Sequence, residues 1–107
     1  MIINTDNADQ PGSHWIALFI DSNKHAEYMN SFGANPICCR IKTLLKYNNI
    51  YVMSINKFHI QDIFSDNCGK YCILFIKMRW NNMSFDQFLK LFSLNRVYNE
   101  ILIEKLI

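Results

Sequence analysis

The hydrophobic positions of this chain form short apolar runs first and longer runs with helical spacing later. HWIALFID, residues 14–21, suits a buried strand, and AEYMNSFG, residues 26–33, predicts a second strand after the turn SNKH. Together they predict a β-hairpin over residues 15–30. IYVMSI, residues 50–55, is rich in β-branched and aromatic side chains and predicts a third strand, and KFHIQDIF, residues 57–64, extends the sheet as a fourth.

Four segments have the spacing of apolar residues that is typical of helices. ICCRIKTLLKY (37–47) and the mostly apolar CGKYCILFIKMRW (68–80) are the first two. NNMSFDQFLKLFS (81–93) has Ser84 as its predicted N-cap, and LNRVYNEILIEKLI (94–107) closes the chain. Strands followed by helices predict an α+β fold, with a mainly antiparallel sheet packed against helices.

Length, charge and hydropathy indicate a single domain without the sequence signals of nucleic-acid-binding or membrane proteins. The 107 residues, half of them hydrophobic, suit one domain with a modest core, and the net charge of +2 does not indicate a nucleic-acid-binding surface. No apolar run approaches the roughly 18 residues that span a bilayer, and the N-terminus has no secretory-signal pattern, so we expect no membrane partner. The four cysteines are then expected to be reduced thiols in an intracellular compartment, including the nucleus or a virion.

One cysteine stands where a helix is predicted to start. Cys68 follows SDN, residues 65–67, whose three side chains are all candidate N-caps. The unpaired N–H groups and the dipole at a helix start favour a thiolate, and Gly69 leaves space beside the sulfur. Asp66 would oppose a thiolate unless it faces solvent. Cys72, one turn further along in YCILF, has neither feature and is expected to pack in the core.

Three other residues could complete a cysteine-nucleophile site. His14 enters the first strand of the hairpin, and Asn30 ends the second, where its amide could orient the His14 ring. Gln61 precedes Cys68 by seven residues, and its amide could donate to an oxyanion together with the Cys68 N–H. Each of the three residues, taken alone, is more often structural than catalytic. Their joint order along the chain is what favours catalysis.

That order resembles the adenovirus-type cysteine protease family, within the wider group of ubiquitin-like-protein proteases. The resemblance covers residues 3 to about 99 and is carried by NTDNADQPGSHW, YMNSFG and QDIFSDNCGKYC, with MSFDQFLKLFS similar to the family's tail. Adenain-like proteases of adenoviruses and of Maverick/Polinton virus-like transposons are the most similar members. The resemblance implies a single protease domain over residues 1–107, with its nucleophile at the N-terminus of a buried helix.

The same resemblance assigns roles and partners. It implies that Cys68 is the nucleophile, His14 the acid–base partner, Asn30 the orienting residue and Gln61 the oxyanion donor of a cysteine endopeptidase. No metal or organic cofactor is needed for this chemistry. The substrate would be a polypeptide, such as a viral or transposon capsid precursor, and family members are activated by a viral peptide and by DNA.

Two departures from the family leave alternatives open. Asn30 replaces an acidic residue, which predicts a slower enzyme or a shifted pH optimum because an amide brings no charge to the imidazolium. Family members also carry a helical segment before the NTD loop, which this chain would lack. The alternatives are a catalytically inactive pseudoprotease that serves as a binding module, and a protease of ubiquitin-like modifiers.

Overall fold

The fold is a four-stranded sheet with helices on both faces. The computed structural model describes residues 1–4, 14–33, 39–50, 52–56, 58–62 and 65–107. In chain order the elements are β1 (Ile2–Asn4), β2 (Trp15–Ile20), β3 (His25–Met29), α1 (Cys39–Tyr47), β4 (Val52–Ile55), α2 (Cys68–Trp80), α3 (Phe85–Leu89) and α4 (Arg96–Leu106). The predicted loop at 5–13, Cys38 and the first residues of the first predicted helix lie outside the described residues.

The sheet order follows the chain, β1-β2-β3-β4. The first two pairings are antiparallel, with Asn4 opposite Trp15 and Ala17 opposite Met29. The last pairing is parallel, because the chain crosses over through α1 before it returns as β4. The predicted α+β class, the hairpin over 15–30 and the mainly antiparallel sheet are confirmed.

Alternate side chains of the hairpin enter two separate cores. Ile16 and Leu18 belong to the cluster that also contains Ile41 and Leu45 of α1. Residues of opposite pleat, such as Ala17 of β2, join the cluster formed by α2, α3 and α4. Because helices cover the sheet on both faces, the apolar run of β2 is nearly continuous and does not alternate with polar residues.

The helix that begins with Cys68 buries one face in the core. Tyr71, Cys72, Leu74 and Phe75 are each fully buried, and the bounds of α2 are those predicted from the sequence. Asn67 occupies the N-cap position without a capping side-chain bond. The structure therefore confirms a helix start at Cys68 but not a conventional side-chain cap.

The short helix α3 has the predicted cap. The Ser84 hydroxyl accepts a hydrogen bond from the Gln87 N–H at 3.1 Å, and the Gln87 side chain accepts from the Ser84 N–H at 2.9 Å. This reciprocal capping box turns Phe85 and Phe88 into the core, where both contact Phe75 with ring centroids about 5 Å apart.

The predicted fourth strand over 57–64 is wrong for the described residues 58–62. The N–H groups of Ile60 and Gln61 both donate to the Ser31 carbonyl oxygen, at 2.9 and 3.0 Å. Two consecutive N–H groups that converge on one acceptor cannot form a strand ladder, in which successive groups point to opposite sides. The short strand β1 was not predicted, because three residues carry too little pattern to identify a strand.

Across the described ranges, the helices are too short or too polar to traverse a lipid bilayer.

Candidate functional site

His14 and Asn30 meet at one end of the hairpin. The Nε2 atom of His14 lies 2.9 Å from Oδ1 of Asn30. Residue 14 immediately precedes β2 and residue 30 immediately follows β3. Continued by one pair, the antiparallel register places Asn30 opposite Ile16, so His14 and Asn30 are diagonal neighbours on one face. The His14 ring also packs against Phe32, with ring centroids 5.0 Å apart. The structure thus brings together the predicted acid–base residue and its predicted orienting residue.

The hydrogen bonds of Asn30 fix which nitrogen of His14 carries a proton. The backbone N–H of Phe32 donates to Oδ1 of Asn30 at 3.0 Å, so the amide atom that faces Phe32 must be the oxygen. The same oxygen faces Nε2 of His14, which must therefore donate. In the neutral ring the lone pair then belongs to Nδ1, the nitrogen that is directed away from Asn30.

Cys68 lies at the N-terminus of α2, where the sequence predicted it. Its side chain is nearly covered, with the residue 4% exposed. At the other end of α2, the Arg79 guanidinium lies 4.4 Å from the Phe19 ring centroid, near the end of β2. This contact places the C-terminal end of α2 near the end of β2, and the hydrogen bonds from Ser31 through Gln61 to Ser65 place the chain just before α2 near Asn30.

Gln61 connects the two halves of the candidate site. Its side chain is fully buried, and its carbonyl oxygen accepts a hydrogen bond from the Ser31 hydroxyl. Its Nε2 group donates to the Ser65 carbonyl oxygen at 2.9 Å, and Oγ of Ser65 accepts from the Asn67 N–H at 3.0 Å. A chain of hydrogen bonds thus joins the neighbour of Asn30 to the neighbour of Cys68. The contacts give Gln61 a structural role, and oxyanion donation stays a prediction.

Space is available beside the thiol on the Gly69 side. A Cβ atom built at Gly69 meets no atom within 4 Å other than those of its chain neighbours and of the helix's own backbone. Asp66 is exposed, so its carboxylate faces solvent, as expected if it is not to oppose a thiolate at Cys68. Cys72 is fully buried, and this burial, helped by the neighbouring Cys68, raises the pKa of the Cys72 thiol to about 12. Of these two cysteines, Cys68 has the open neighbour and Cys72 is a core residue.

The other two histidines stand apart from this arrangement. Nε2 of His25 lies 2.8 Å from Oγ of Ser54, at the far end of β3 from Asn30. His59 packs edge-on against Phe32, with ring centroids 5.0 Å apart. Burial and the Arg96 guanidinium lower the pKa of His59. Neither residue contacts Asn30 in the described hydrogen bonds.

Sequence reasoning missed Asn56 and Ser31. Asn56 is 1% exposed and bonds to the backbone of Asn30, while Ser31 holds the Gln61 amide. A polar residue at the end of an apolar strand was the one available signal for Asn56. Nothing local indicated its partner, because residues 30 and 56 are 26 positions apart.

The sequence is similar to viral cysteine proteases. It is 30% identical over 99 residues to a cysteine protease of African swine fever virus, isolate Tick/Malawi/Lil 20-1/1983, covering 82% of this chain and 36% of that one. It is 29% identical over 99 residues to a protein of isolate Pig/Kenya/KEN-50/1950 named a SUMO-1 cysteine protease, with the same coverage. A protein of Acanthamoeba polyphaga mimivirus named as a thiol protease is 32% identical over 94 residues, covering 79% of this chain and 31% of its own length.

A solved structure agrees with the sequence relatives. The crystal structure of an African swine fever virus protease superimposes with a TM-score of 0.60 and 26% identity, covering 81% of this chain and 36% of that one. No protein-family model matches the sequence. The chain spans about a third of the length of the curated relatives it matches. The α+β fold is thus that of a viral cysteine protease, and the relatives are viral cysteine or thiol proteases.

Proposed function

We propose that this chain is a cysteine-type peptidase that hydrolyses peptide bonds by acyl transfer. The observation that carries the proposal is the pairing of His14 with Asn30, at the end of the sheet toward which the helix of Cys68 starts. The similarity to viral cysteine proteases supports the same activity. An adenain-like role in the maturation of viral or transposon precursors is the function we consider first.

In the proposed first step, the Cys68 sulfur attacks the scissile carbonyl carbon and a C–S bond forms. His14 takes the thiol proton at Nδ1, the nitrogen that its bond to Asn30 leaves with a lone pair. The imidazolium then gives this proton to the departing amine as the C–N bond breaks. In the second step His14 accepts a proton from water, whose oxygen attacks the thioester carbon. The C–S bond then breaks, the acid is released, and the imidazolium returns its proton to the Cys68 sulfur.

The proposed oxyanion donors are the Cys68 backbone N–H and the Gln61 side chain. The Cys68 N–H stands at the N-terminus of α2, where the helix dipole favours a developing negative charge. The amide nitrogen of Gln61 donates to the Ser65 carbonyl oxygen at 2.9 Å and to Oγ of Ser65 at 3.3 Å, so donation to an oxyanion would replace the longer of these two contacts. Removal of one such donor costs about 3 kcal/mol of barrier stabilisation in other hydrolases.

The proposed substrate is a polypeptide, and two classes of polypeptide are candidates. The adenain-like assignment favours a capsid precursor, with a viral peptide or DNA as activator. The name of one relative, SUMO-1 cysteine protease, favours a ubiquitin-like modifier instead. Cleavage of Gly-Gly-x peptides compared with ubiquitin-like fusion proteins distinguishes the two classes. We further propose an intracellular, reducing location, including the nucleus or a virion, in which the thiols stay free.

The activity is tested by competitive alkylation of the four cysteines. At low iodoacetamide concentration near pH 6, we expect Cys68 to be labelled at least about tenfold faster than Cys72, because an ion-paired thiolate reacts and a buried thiol does not. The His14→Ala substitution should remove this preference. His25→Ala is the matched control, since His25 bonds to Ser54 at the other end of the strand, and it should leave the preference unchanged.

If Cys68 of the wild type is labelled no faster than the other three cysteines, the result would contradict an activated nucleophile. That result would favour the inactive alternative, a pseudoprotease that binds polypeptides without cleaving them. Hydrolysis of a peptide substrate by the wild type but not by Cys68→Ser completes the test.

A further inference from the structure

The buried side chain of Asn56 contacts both backbone groups of Asn30, whose carbonyl oxygen also accepts a hydrogen bond from the Gly33 N–H at 2.7 Å. Oδ1 of Asn56 accepts a hydrogen bond from the Asn30 N–H at 2.8 Å, and Nδ2 of Asn56 donates to the Asn30 carbonyl oxygen at 2.6 Å. Nδ2 also donates to the Phe58 carbonyl oxygen at 3.2 Å. Asn56 is 1% exposed and Asn30 is 3% exposed, so the contacts are shielded from water.

These contacts occur where the regular sheet stops. The last pair of the parallel ladder is Tyr28 opposite Ile55, and both strands end within one residue of it. A side-chain amide carries the same donor and acceptor as a peptide group. The Asn56 amide therefore replaces a strand neighbour for Asn30 and satisfies both of its backbone groups. The Asn30 side chain remains available to His14.

The orientation of the Asn56 amide follows from its partners. Two carbonyl oxygens, of Asn30 and Phe58, face one end of the amide, and only the NH2 group can donate to them. The Asn30 N–H faces the other end, which must be the oxygen. An aspartate at position 56 would still accept a hydrogen bond from the Asn30 N–H. Its other oxygen would face the carbonyl oxygens of Asn30 and Phe58, to which it cannot donate.

We propose that Asn56 is a positioning residue for the His14–Asn30 pair. This inference rests on the proposed function and deepens it, because it names the residue that holds the orienting amide in place. By fixing both backbone groups of Asn30, Asn56 fixes the direction of the Asn30 oxygen. That oxygen in turn keeps the proton of the neutral His14 ring on Nε2.

Asn99 offers a matched control for a purely structural effect. It is fully buried and also bridges backbone groups, donating to the carbonyl oxygens of Ile60 at 2.9 Å and Ser93 at 2.7 Å. Its Oδ1 accepts from the Ser93 N–H at 2.8 Å. The loss of Asn99 should therefore destabilise the fold in the same way as the loss of Asn56. It should not change the tautomer of the His14 ring, because the hydrogen bonds described for Asn99 are with Ile60 and Ser93 and not with Asn30.

The test is nitrogen NMR of the histidine rings in the full chain. We expect wild-type His14, once its ring is neutral, to show one protonated nitrogen, Nε2, and one bare nitrogen, Nδ1. In Asn56→Asp the two nitrogens should shift toward an average of both tautomers, and in Asn99→Asp they should keep the wild-type shifts. Where a substrate is cleaved, Asn56→Asp should lower kcat by at least about tenfold with a smaller change in KM.

Unchanged His14 shifts in folded Asn56→Asp, or equal changes in Asn99→Asp, would overturn the proposal. If Asn56→Asp does not fold, the wild type supplies the second measurement. Scalar coupling across the hydrogen bond from Nδ2 of Asn56 to the Asn30 carbonyl should be detectable, and its absence would overturn the proposal. Both readouts are independent of turnover, so an inactive wild type with the Nε2–H tautomer would count against the peptidase and support the role of Asn56.

Discussion

The amide of Asn30 shows which contacts of the site a sequence can predict. Its bond to His14 follows from the hairpin, because the register of the two strands makes residues 14 and 30 diagonal neighbours on one face. Its bonds to Phe32 and Asn56 were not predictable. They depend on the path of segments after β3 and β4, and tertiary contacts rather than a local repeat set that path.

The two described glycines predict opposite outcomes for the same substitution. Gly69→Ala adds a Cβ in open space, so stability should stay level or rise by up to about 1 kcal/mol, as for other helical glycines. Peptide cleavage should nevertheless fall about tenfold or more, because the new methyl group occupies the approach beside Cys68. Urea unfolding and peptide turnover measure the two effects.

Gly33→Ala is the contrasting variant. Gly33 has φ +60°, and its Cβ would lie 2.8 Å from the Phe58 carbonyl carbon, so unfolding free energy should fall by about 2 kcal/mol or more. A Gly69→Ala protein that cleaves peptides at the wild-type rate would contradict the assigned approach path. So would a Gly69→Ala protein as unstable as Gly33→Ala.

At the scale of elements, strong local signals gave correct bounds and weak ones did not. The bounds of α2 were predictable because a mostly apolar segment runs from a turn to the NN pair at 81–82. The parallel pairing of β3 with β4 was not predictable, since the direction of β4 in the sheet depends on the crossover through α1. The segment 58–62 has strand-like composition, but its hydrogen bonds go to Ser31.

The capping box of α3 supplies the prediction at this scale. Ser84→Ala removes the acceptor for the Gln87 N–H and should lower the free energy of unfolding by about 1 kcal/mol. Ser84→Asp keeps an acceptor and should restore most of that loss. Thermal unfolding of the three proteins compares them. Equal stability of wild type and Ser84→Ala would show that packing of Phe85 and Phe88 alone sets the helix start.

For the whole molecule, the covered sheet explains why so few charged side chains are buried in the described core. Glu27, 8% exposed, is held by Arg79, whose Nε donates to its carboxylate at 2.6 Å. The guanidinium also donates to the Met83 carbonyl oxygen at 2.9 Å and stacks on Phe19. This contact joins the end of α2 to the sheet and fixes the helix over β2. The placement of Cys68 at the opposite end follows from it.

Global stability should depend on pH through His59. Burial, and then the Arg96 guanidinium, lower the pKa of the folded His59 below its ordinary 6.5, although Asp62 acts in the opposite direction. The unfolded chain then binds a proton more readily than the folded one, so stability is complete above pH 6.5 and falls as the pH drops below it. Chemical unfolding at pH 7.5 and 5.5 should show a larger loss in the wild type than in His59→Gln.

Arg96→Gln is the control for the electrostatic part of this effect. It removes the cation beside His59 and should reduce the pH dependence without abolishing it, because burial contributes the larger share. Identical losses between pH 7.5 and 5.5 in the wild type and in His59→Gln would contradict the assignment.

The His14–Asn30 pair and the tight turn lie at opposite ends of the hairpin. His14 and Asn30 stand at the open end, whereas the turn at residues 21–24 is about 20 Å away along six residues of strand. Asn23 and Lys24 in this turn are exposed. A fluorophore or an affinity handle grafted there would sit remote from the imidazole, which makes this turn the natural place to tether the protein to a surface for single-molecule work.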